Sequence, residues 1–232
     1  MELIYKGKTK DVYKLPDGNV LLQFKDDACG ENGVFDPGAN QIGGSIDGKG
    51  REGLRLSAFF FEKVAELIPA LNTHFISCDV AKAQMIVKSA TPFGHGLEVI
   101  CRIKAAGSFV RRYGQYVKDG TALDSLVEFT LKDDQRGDPF ITRETLVKLG
   151  ILTDSEYDTL VSATRNVTTV IAAQLRECGN GVLELIDFKL EFGRAADGAI
   201  MIIDEISGDC MRVYDKNGYV DPVRLTKILL GD

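Results

Sequence analysis

Residues 181–209 read GVLELIDFKLEFGRAADGAIMIIDEISGD, and the layout of this stretch decides the fold. Along a strand successive side chains point to opposite faces, so Ile186, Phe188, Leu190 and Phe192 fall on one side and Asp187, Lys189 and Glu191 on the other. The apolar row faces a core. The charged row is either a wet surface or a site. Small residues then mark a turn, and the chain returns into Asp204 and Glu205. A hairpin closed symmetrically about Ala195 and Ala196 sets Asp204 opposite Asp187, so bringing Asp204 to Glu191 requires a bulge, a twist or a long side chain.

Working outward, a chain of 232 residues that is 44% hydrophobic and 27% charged can bury real cores and does not have the composition of a disordered protein. Its net charge of −6 argues against coating nucleic acid, although a local basic cleft can still hold a phosphorylated metabolite. The 5 cysteines (Cys29, Cys78, Cys101, Cys178 and Cys210) form no C-x-x-C pair, and only His74 and His95 are available to complete a zinc set. Structural zinc is therefore not expected. The N-terminal MELIYKGKTK lacks a signal-peptide core and no run has the length of a membrane span, which sets the expectation of a cytoplasmic protein with reduced thiols.

The first hundred residues read mainly as strands: ELIYKGKTKDVYKL, NVLLQFKDD, THFISCD, KAQMIVKSATPFG and LEVICRIKAA. A helix spans Leu54 to Leu67, where apolar residues recur at helical spacing until Pro69. Gly30 to Gly53, with seven more glycines, reads as a mobile loop. Beyond it LVEFTLK is a strand, TRETLVKLGIL and SEYDTLVSATRNVTTVIAAQLRECG are helices, a strand pair runs from 182 to 206, and DPVRLTKILLGD adds a short final helix. A boundary at Lys104–Gly107 divides a strand-rich part, 1–104, from a mixed α+β part, 105–232.

Three further segments carry chemistry. In YKGKTKDVY, an extended strand puts Lys6, Lys8 and Lys10 on one side, with Gly7 letting backbone approach a phosphate; a lysine-defended strand edge explains the same pattern. In AAGSFVRRYG, Ser108 and free amides at a helix start, with Arg102, Arg111 and Arg112 nearby, suit a phosphate, although surface arginines at a helix start look alike. LKDDQRGDP reads mainly as a turn carrying Lys132. Glu191 with Asp204 or Asp187 suits Mg²⁺, a hard cation that takes carboxylates and nucleotide phosphates together. His74 reads as a structural hydrogen-bonding residue and His95 as solvated loop.

Taken in order, YKGKTKDVY, LLQFKDDA, DGKG, THF, ICRIKAAGSFVRRYG, VEFTLKDDQRGDP, LIDFKLEFG and DEISGDCMRVYD resemble the phosphoribosylaminoimidazole-succinocarboxamide synthase (SAICAR synthetase) family, over residues 3 to 215. The resemblance implies an α+β fold, with a strand-rich N-terminal domain similar to the small lobe of protein kinases set against an ATP-grasp-like domain. It implies a cytoplasmic, ATP- and Mg²⁺-dependent ligase of purine biosynthesis that joins L-aspartate to carboxyaminoimidazole ribotide (CAIR), acts on small molecules only, and leaves room for a homodimer. The family pattern assigns Lys8 and Lys10 to the ATP phosphates, Glu191 and Asp204 to Mg²⁺, and Lys132 and Glu98 to the nucleotide. It assigns Arg102, Ser108 and Arg212 to the phosphorylated ribotide, Asp27 to the aspartate and ribotide pocket, and Asp187, Lys189 and Lys10 to the reacting region. The chain departs from the pattern at Gly208, where a proline is usual, in a longer glycine-rich loop, in REGLRLS after DGKG, and in a shorter C-terminal helical tail. Two other readings use the same residues: a phosphotransferase, which needs no aspartate, and a nucleotide-binding protein without turnover.

Overall fold

The computed structural model describes residues 1–31, 34–36, 39 and 41–231. At the N-terminus β1 (Glu2–Lys6) and β2 (Lys10–Lys14) form an antiparallel hairpin, and β3 (Val20–Phe24) pairs with β2. The lysines around Gly7 therefore do not share one extended face: the chain reverses between Lys6 and Lys10, with the Gly7 N–H donating to the Lys10 carbonyl at 2.8 Å. A Cβ at Gly7 would lie 2.5 Å from that same oxygen, so the tight reversal requires glycine.

The glycine-rich stretch follows, with Gly33 and Gly38 outside the described residues. Within the described part it forms β4 (Asp27–Glu31), β5 (Val34–Phe35) and β6 (Ile42–Ser45), a small antiparallel sheet, and it ends in the first turn of α1 (Lys49–Leu67). The helix thus begins five residues before the expected Leu54. Its start is capped from a distance, because the Asp26 carboxylate accepts from the Gly48 and Gly50 amides at 3.2 and 2.9 Å. Periodicity gave no warning, since the first turn is glycine and charge.

The chain continues through β7 (Asn72–Thr73), β8 (Phe75–Asp79), β9 (Gln84–Val87), β10 (Thr91–Pro92), β11 (Leu97–Lys104), α2 (Ser108–Tyr113) and β12 (Ala122–Leu131). Then come α3 (Arg143–Lys148), α4 (Asp154–Cys178), β13 (Glu184–Arg194), β14 (Ile200–Ile203), β15 (Met211–Asp215), β16 (Gly218–Tyr219) and α5 (Pro222–Leu230). The architecture is α+β. One sheet has five strands in the order β1-β2-β3-β9-β8, and a larger one runs β12-β11-β13-β14-β7, with β10 and β15 also pairing to β13.

Apart from β7, the chain passes from one sheet to the other between β9 and β10. The boundary expected at Lys104–Gly107 therefore falls at the end of β11, a central strand of the larger sheet, and a division there would separate β11 from its partners β12 and β13. One continuous core underlies both sheets: Leu22, Phe24 and Met85 of the smaller sheet meet Phe60, Phe61 and Val64 of α1, which lead on to Leu97, Val99, Phe188 and Leu190.

On the back of the larger sheet lies α4, which buries Leu160, Ala163, Thr164, Val167, Thr168, Ile171 and Leu175 at helical spacing. Its N-terminus is a capping box, with the Glu156 amide donating to Thr153 Oγ1 at 3.2 Å and the Thr153 amide donating to the Glu156 carboxylate at 2.7 Å. The helix covers the apolar row of β13: Ile186, Phe188, Leu190 and Phe192 are all buried. The charged row on the opposite face is not a wet surface, since Asp187 and Glu191 are only 3% and 8% exposed. Among the described residues, no helix is long and apolar enough to cross a membrane.

Candidate active site

Register explains how the charged row becomes a site. The β13–β14 hairpin pairs Glu191 with Ile203 and closes through Ala195–Ala199, so Asp204 follows the residue opposite Glu191 and lies nowhere near Asp187. The symmetric closure expected from sequence is therefore corrected by a longer turn, and no bulge is needed. Asp204 itself has φ 68°, in the left-handed region that non-glycine residues seldom occupy, and there the chain turns sharply off the strand.

On the other side of β13, β11 sets Glu98 opposite Glu191 and Arg102 opposite Asp187, and β12 sets Thr130 opposite Glu98. Directly opposed residues share a face, so three strands build one polar wall. Asp187 and Glu191 stand four positions apart along the strand, about 13 Å at the usual rise.

At the Glu191 end the wall carries lysines and carboxylates in contact. Lys10 reaches Asp204 at 3.0 Å and also bonds Glu205, with its ammonium 5.4 Å from the Phe24 ring centroid. Lys132, from the turn after β12, bonds Glu191, and Lys189 donates to Glu98 at 2.7 Å. Thr130 donates to the other Glu98 oxygen at 2.9 Å. Lys8 stands at the rim, 2.6 Å from Asp134. Lys8 and Lys10 thus flank the same end of the wall from different depths.

Burial alone would lower the Lys10 and Lys189 ammoniums, but Asp204 with Glu205, and Glu98 with Glu191, outweigh it and hold both well above the ordinary lysine range. Burial would likewise raise Asp204, yet Lys10 and Lys132 pull it far down. Glu191 goes the other way: burial raises it, Lys132 opposes, and neighbouring Asp204 raises it further. A carboxylate so placed has room for another positive charge.

That is the test of fit for Mg²⁺. Glu191 and Asp204 offer hard oxygen donors side by side, and at Glu191 the neighbouring carboxylate and burial favour a further positive charge. Among the described residues, the three metal-capable groups that cluster most tightly are Asp204, Glu205 and Cys210. Burial and the carboxylates of Glu205 and Asp204 push the Cys210 thiol well above its ordinary value, so it stays protonated, and it donates to the Glu205 carbonyl at 3.4 Å. A soft, protonated sulfur is a poor partner for a hard cation.

At the Asp187 end the wall carries arginines. Arg102, 1% exposed, engages each of its three guanidinium nitrogens: Nε to Glu128 at 2.5 Å, Nη1 to Asp187 at 2.9 Å and Nη2 to Ser108 Oγ at 2.9 Å. Arg212 donates to the same Asp187 oxygen at 2.7 Å and to Asp36 at 2.5 Å. Asp187 is thus a brace between two arginines. Arg112 grips both Glu128 oxygens at 2.6 and 2.7 Å. Gly107 makes the packing feasible, since a Cβ there would lie 2.5 Å from Arg212 Nη2.

Asp27 stands apart from both ends. Its carboxylate is 3.8 Å from Lys25, and its carbonyl accepts from Lys49 at 2.8 Å. Lys49, 3% exposed, also bonds Asp209 and so ties the start of α1 to the segment that carries Arg212.

Sequence reasoning gave no role to Glu128, Glu205, Lys49 or Asp36. Glu128 was within reach, because Glu128, Thr130 and Lys132 alternate with Val127, Phe129 and Leu131 as a second half-polar strand. Lys49 sits among glycines, and Asp36 pairs across 176 residues, so local pattern holds no sign of either.

A family model for SAICAR synthetase matches residues 3–227. A Clostridium tetani protein named phosphoribosylaminoimidazole-succinocarboxamide synthase is 52% identical over 231 residues, covering 99% of this chain and 100% of its own length. A solved structure described as SAICAR synthetase (Type-2) in complex with ADP aligns with a TM-score of 0.83 at 27% identity, covering 98% of this chain and 97% of that one. The Ehrlichia chaffeensis phosphoribosylaminoimidazole-succinocarboxamide synthase aligns with a TM-score of 0.82 at 28% identity, over 95% of this chain and 89% of its own.

Proposed function

The chain belongs to the SAICAR synthetase family, and from that premise we propose that the two-ended wall of the larger sheet joins L-aspartate to CAIR at the expense of ATP. The observation that carries the reading is the pairing, on one buried face, of an arginine end built for a phosphate ester with a lysine and carboxylate end built for a nucleotide.

The chemistry requires both. A carboxylate is a poor electrophile toward an amine, so its oxygen first attacks the γ-phosphorus of ATP; the bond to the β-phosphate oxygen breaks, and ADP leaves. The resulting acyl phosphate is attacked by the neutral amine of L-aspartate. A C–N bond forms, the C–O bond to phosphate breaks, and the amine proton is lost to solvent or base. The acceptor and the transferring group are both anionic, so the dominant demand is for positioned positive charge.

Lys10 and Lys8 flank the end where phosphates are read to lie, and Lys132 and Lys189 stand across from them on the wall. Glu191 and Asp204 would hold Mg²⁺, which when bound supplies neutralising charge to the phosphates. Glu98 orients Lys189 and meets the nucleotide along β11. Arg102, Arg212 and Ser108 anchor the ribotide phosphate, with Asp187 holding the arginines in register. Asp27 borders the pocket for aspartate. The same reading carries a cytoplasmic setting, small-molecule partners without nucleic acid or membrane, and room for a homodimer.

Omission assays test it. ADP release should require ATP, Mg²⁺, CAIR and L-aspartate together and should accompany the succinocarboxamide. Equal ADP release without aspartate would replace the ligase with a phosphotransferase, and nucleotide binding with no release would leave a binding protein.

A further inference from the structure

One buried group outside the charged wall is built into the backbone that the wall depends on. His74 follows β7, which pairs in parallel with β14, and its amide donates to the Ile202 carbonyl at 2.9 Å. Its own carbonyl accepts from the Lys88 amide at 2.7 Å. The imidazole turns along the same strand end, so that Nε2 lies 2.9 Å from the Asp204 carbonyl. The ring is 4% exposed and rests against Phe61, with centroids 5.5 Å apart. A carbonyl only accepts, so the ring nitrogen facing it carries the hydrogen.

These contacts meet at a position of known strain. Asp204 is held at φ 68°, where a non-glycine residue persists only if its surroundings over-determine it. That residue directly follows the end of β14, and the carboxylates of Asp204 and Glu205 both reach Lys10. With amide and ring together, His74 binds two carbonyls here, at Ile202 and Asp204.

We propose that His74 is a positioning residue: its Nε2–H fixes the Asp204 peptide in the left-handed conformation that aims the Asp204 carboxylate at the Mg²⁺–nucleotide end of the wall. It touches neither substrate nor metal and acts through the backbone. The inference rests on the reading of Asp204 as a nucleotide-side carboxylate.

Two measurements decide it. The chain has 2 histidines, so long-range ¹H–¹⁵N spectra with a His95→Gln variant for assignment identify the His74 ring directly. A neutral ring protonated at Nε2 is expected in the unaltered protein, and protonation at Nδ1 alone would overturn the proposal. The second measurement is Mg²⁺-dependent ADP affinity by calorimetry. His74→Phe, which keeps a ring against Phe61 but has no donor, should weaken it about tenfold or more, as loss of an orienting partner does elsewhere. His74→Gln, which restores an N–H donor, should recover most of it. Equal Mg²⁺–ADP affinity in all three proteins would overturn the proposal, and if His74→Phe does not fold, the tautomer and the Gln variant still decide. Wild-type protein that binds Mg²⁺–ADP but forms no succinocarboxamide would sink the functional reading while leaving this comparison intact. Wild-type protein that binds no Mg²⁺–ADP would overturn both.

Discussion

Glu191 faces two costs, burial and the nearby Asp204 carboxylate, and Lys132 is the main cation that offsets them. Replacing it by glutamine keeps the shape and removes the charge that a divalent cation would use. Glu191→Gln should therefore keep its thermal midpoint within a few degrees, lose turnover by about a hundredfold or more, and shift the Mg²⁺ dependence to higher concentration. Near-normal rates at saturating Mg²⁺ and ATP would remove Glu191 from the site. At the other end of the wall Gly107 has φ 53°, and a Cβ on it would run into the Arg212 guanidinium. Gly107→Ala should push that guanidinium away and raise the KM for CAIR about tenfold, roughly 1.4 kcal/mol of binding, with the KM for ATP nearly unchanged. Kinetics with each substrate varied separately would check the asymmetry. Much of this was legible residue by residue: Asp187, Lys189 and Glu191 at period two declare a shared face. That Asp187 clasps two arginines was not legible, because its partners lie 85 and 25 residues away.

At the scale of elements, α4 shows what local chemistry can and cannot specify. Its capping box and apolar stripe are written in consecutive residues, and the sequence reading places the helix over SEYDTLVSATRNVTTVIAAQLRECG without naming the cap. Arg194, from the end of β13, adds a tertiary contact, donating to the two Glu156 oxygens at 2.7 and 3.0 Å. The Arg194 bond, with the Thr153 bonds, holds the Glu156 carboxyl down to about 2. A carboxylate lowered on folding contributes stability above its unfolded value, and that contribution is lost as pH falls toward the folded one. Between pH 5 and 3 the wild type should lose about 1 kcal/mol relative to Glu156→Gln, which retains the capping geometry, the small size reflecting solvent exposure of the pair. Urea midpoints across that window would measure it, and parallel curves would exclude the ion pair as a source of stability. The β13–β14 hairpin went the opposite way. Its strands were plain in the alternation, but the register depends on a turn closed by the Ala195 amide on the Ala199 carbonyl, and the Asp197-Gly198 step, with Gly198 at φ 85°, marks this turn where the symmetric reading centres it on Ala195 and Ala196.

At the scale of the whole molecule, the two sheets share one core through α1, and the site is assembled from segments that are remote in sequence: the β1–β2 hairpin, the strand pair β11 and β12, the turn carrying Lys132, and the β13–β14 return. This is why short motifs were each ambiguous and only their joint order was informative. The mixed α+β class and the charged row of β13 were legible from alternation, whereas Glu98, Lys132 and Arg212 take their site roles only from the resemblance that the joint order of the motifs carries. The division of the chain was not legible, because β11 looks like the last strand of the first half yet pairs in the middle of the larger sheet. On the proposed reading, a molecule organised this way sets its paired charges around two anions at once, a phosphate ester at the arginine end and a nucleotide at the lysine end, with the carboxylate to be activated between them. The most direct test follows the oxygen atoms. With CAIR labelled by ¹⁸O in both carboxylate positions, one turnover with ATP and L-aspartate should place one ¹⁸O in the released phosphate and leave one in the carboxamide. Phosphate released without label would show that the carboxylate is never phosphorylated, and the account of this wall as a site for acyl phosphate formation would fail.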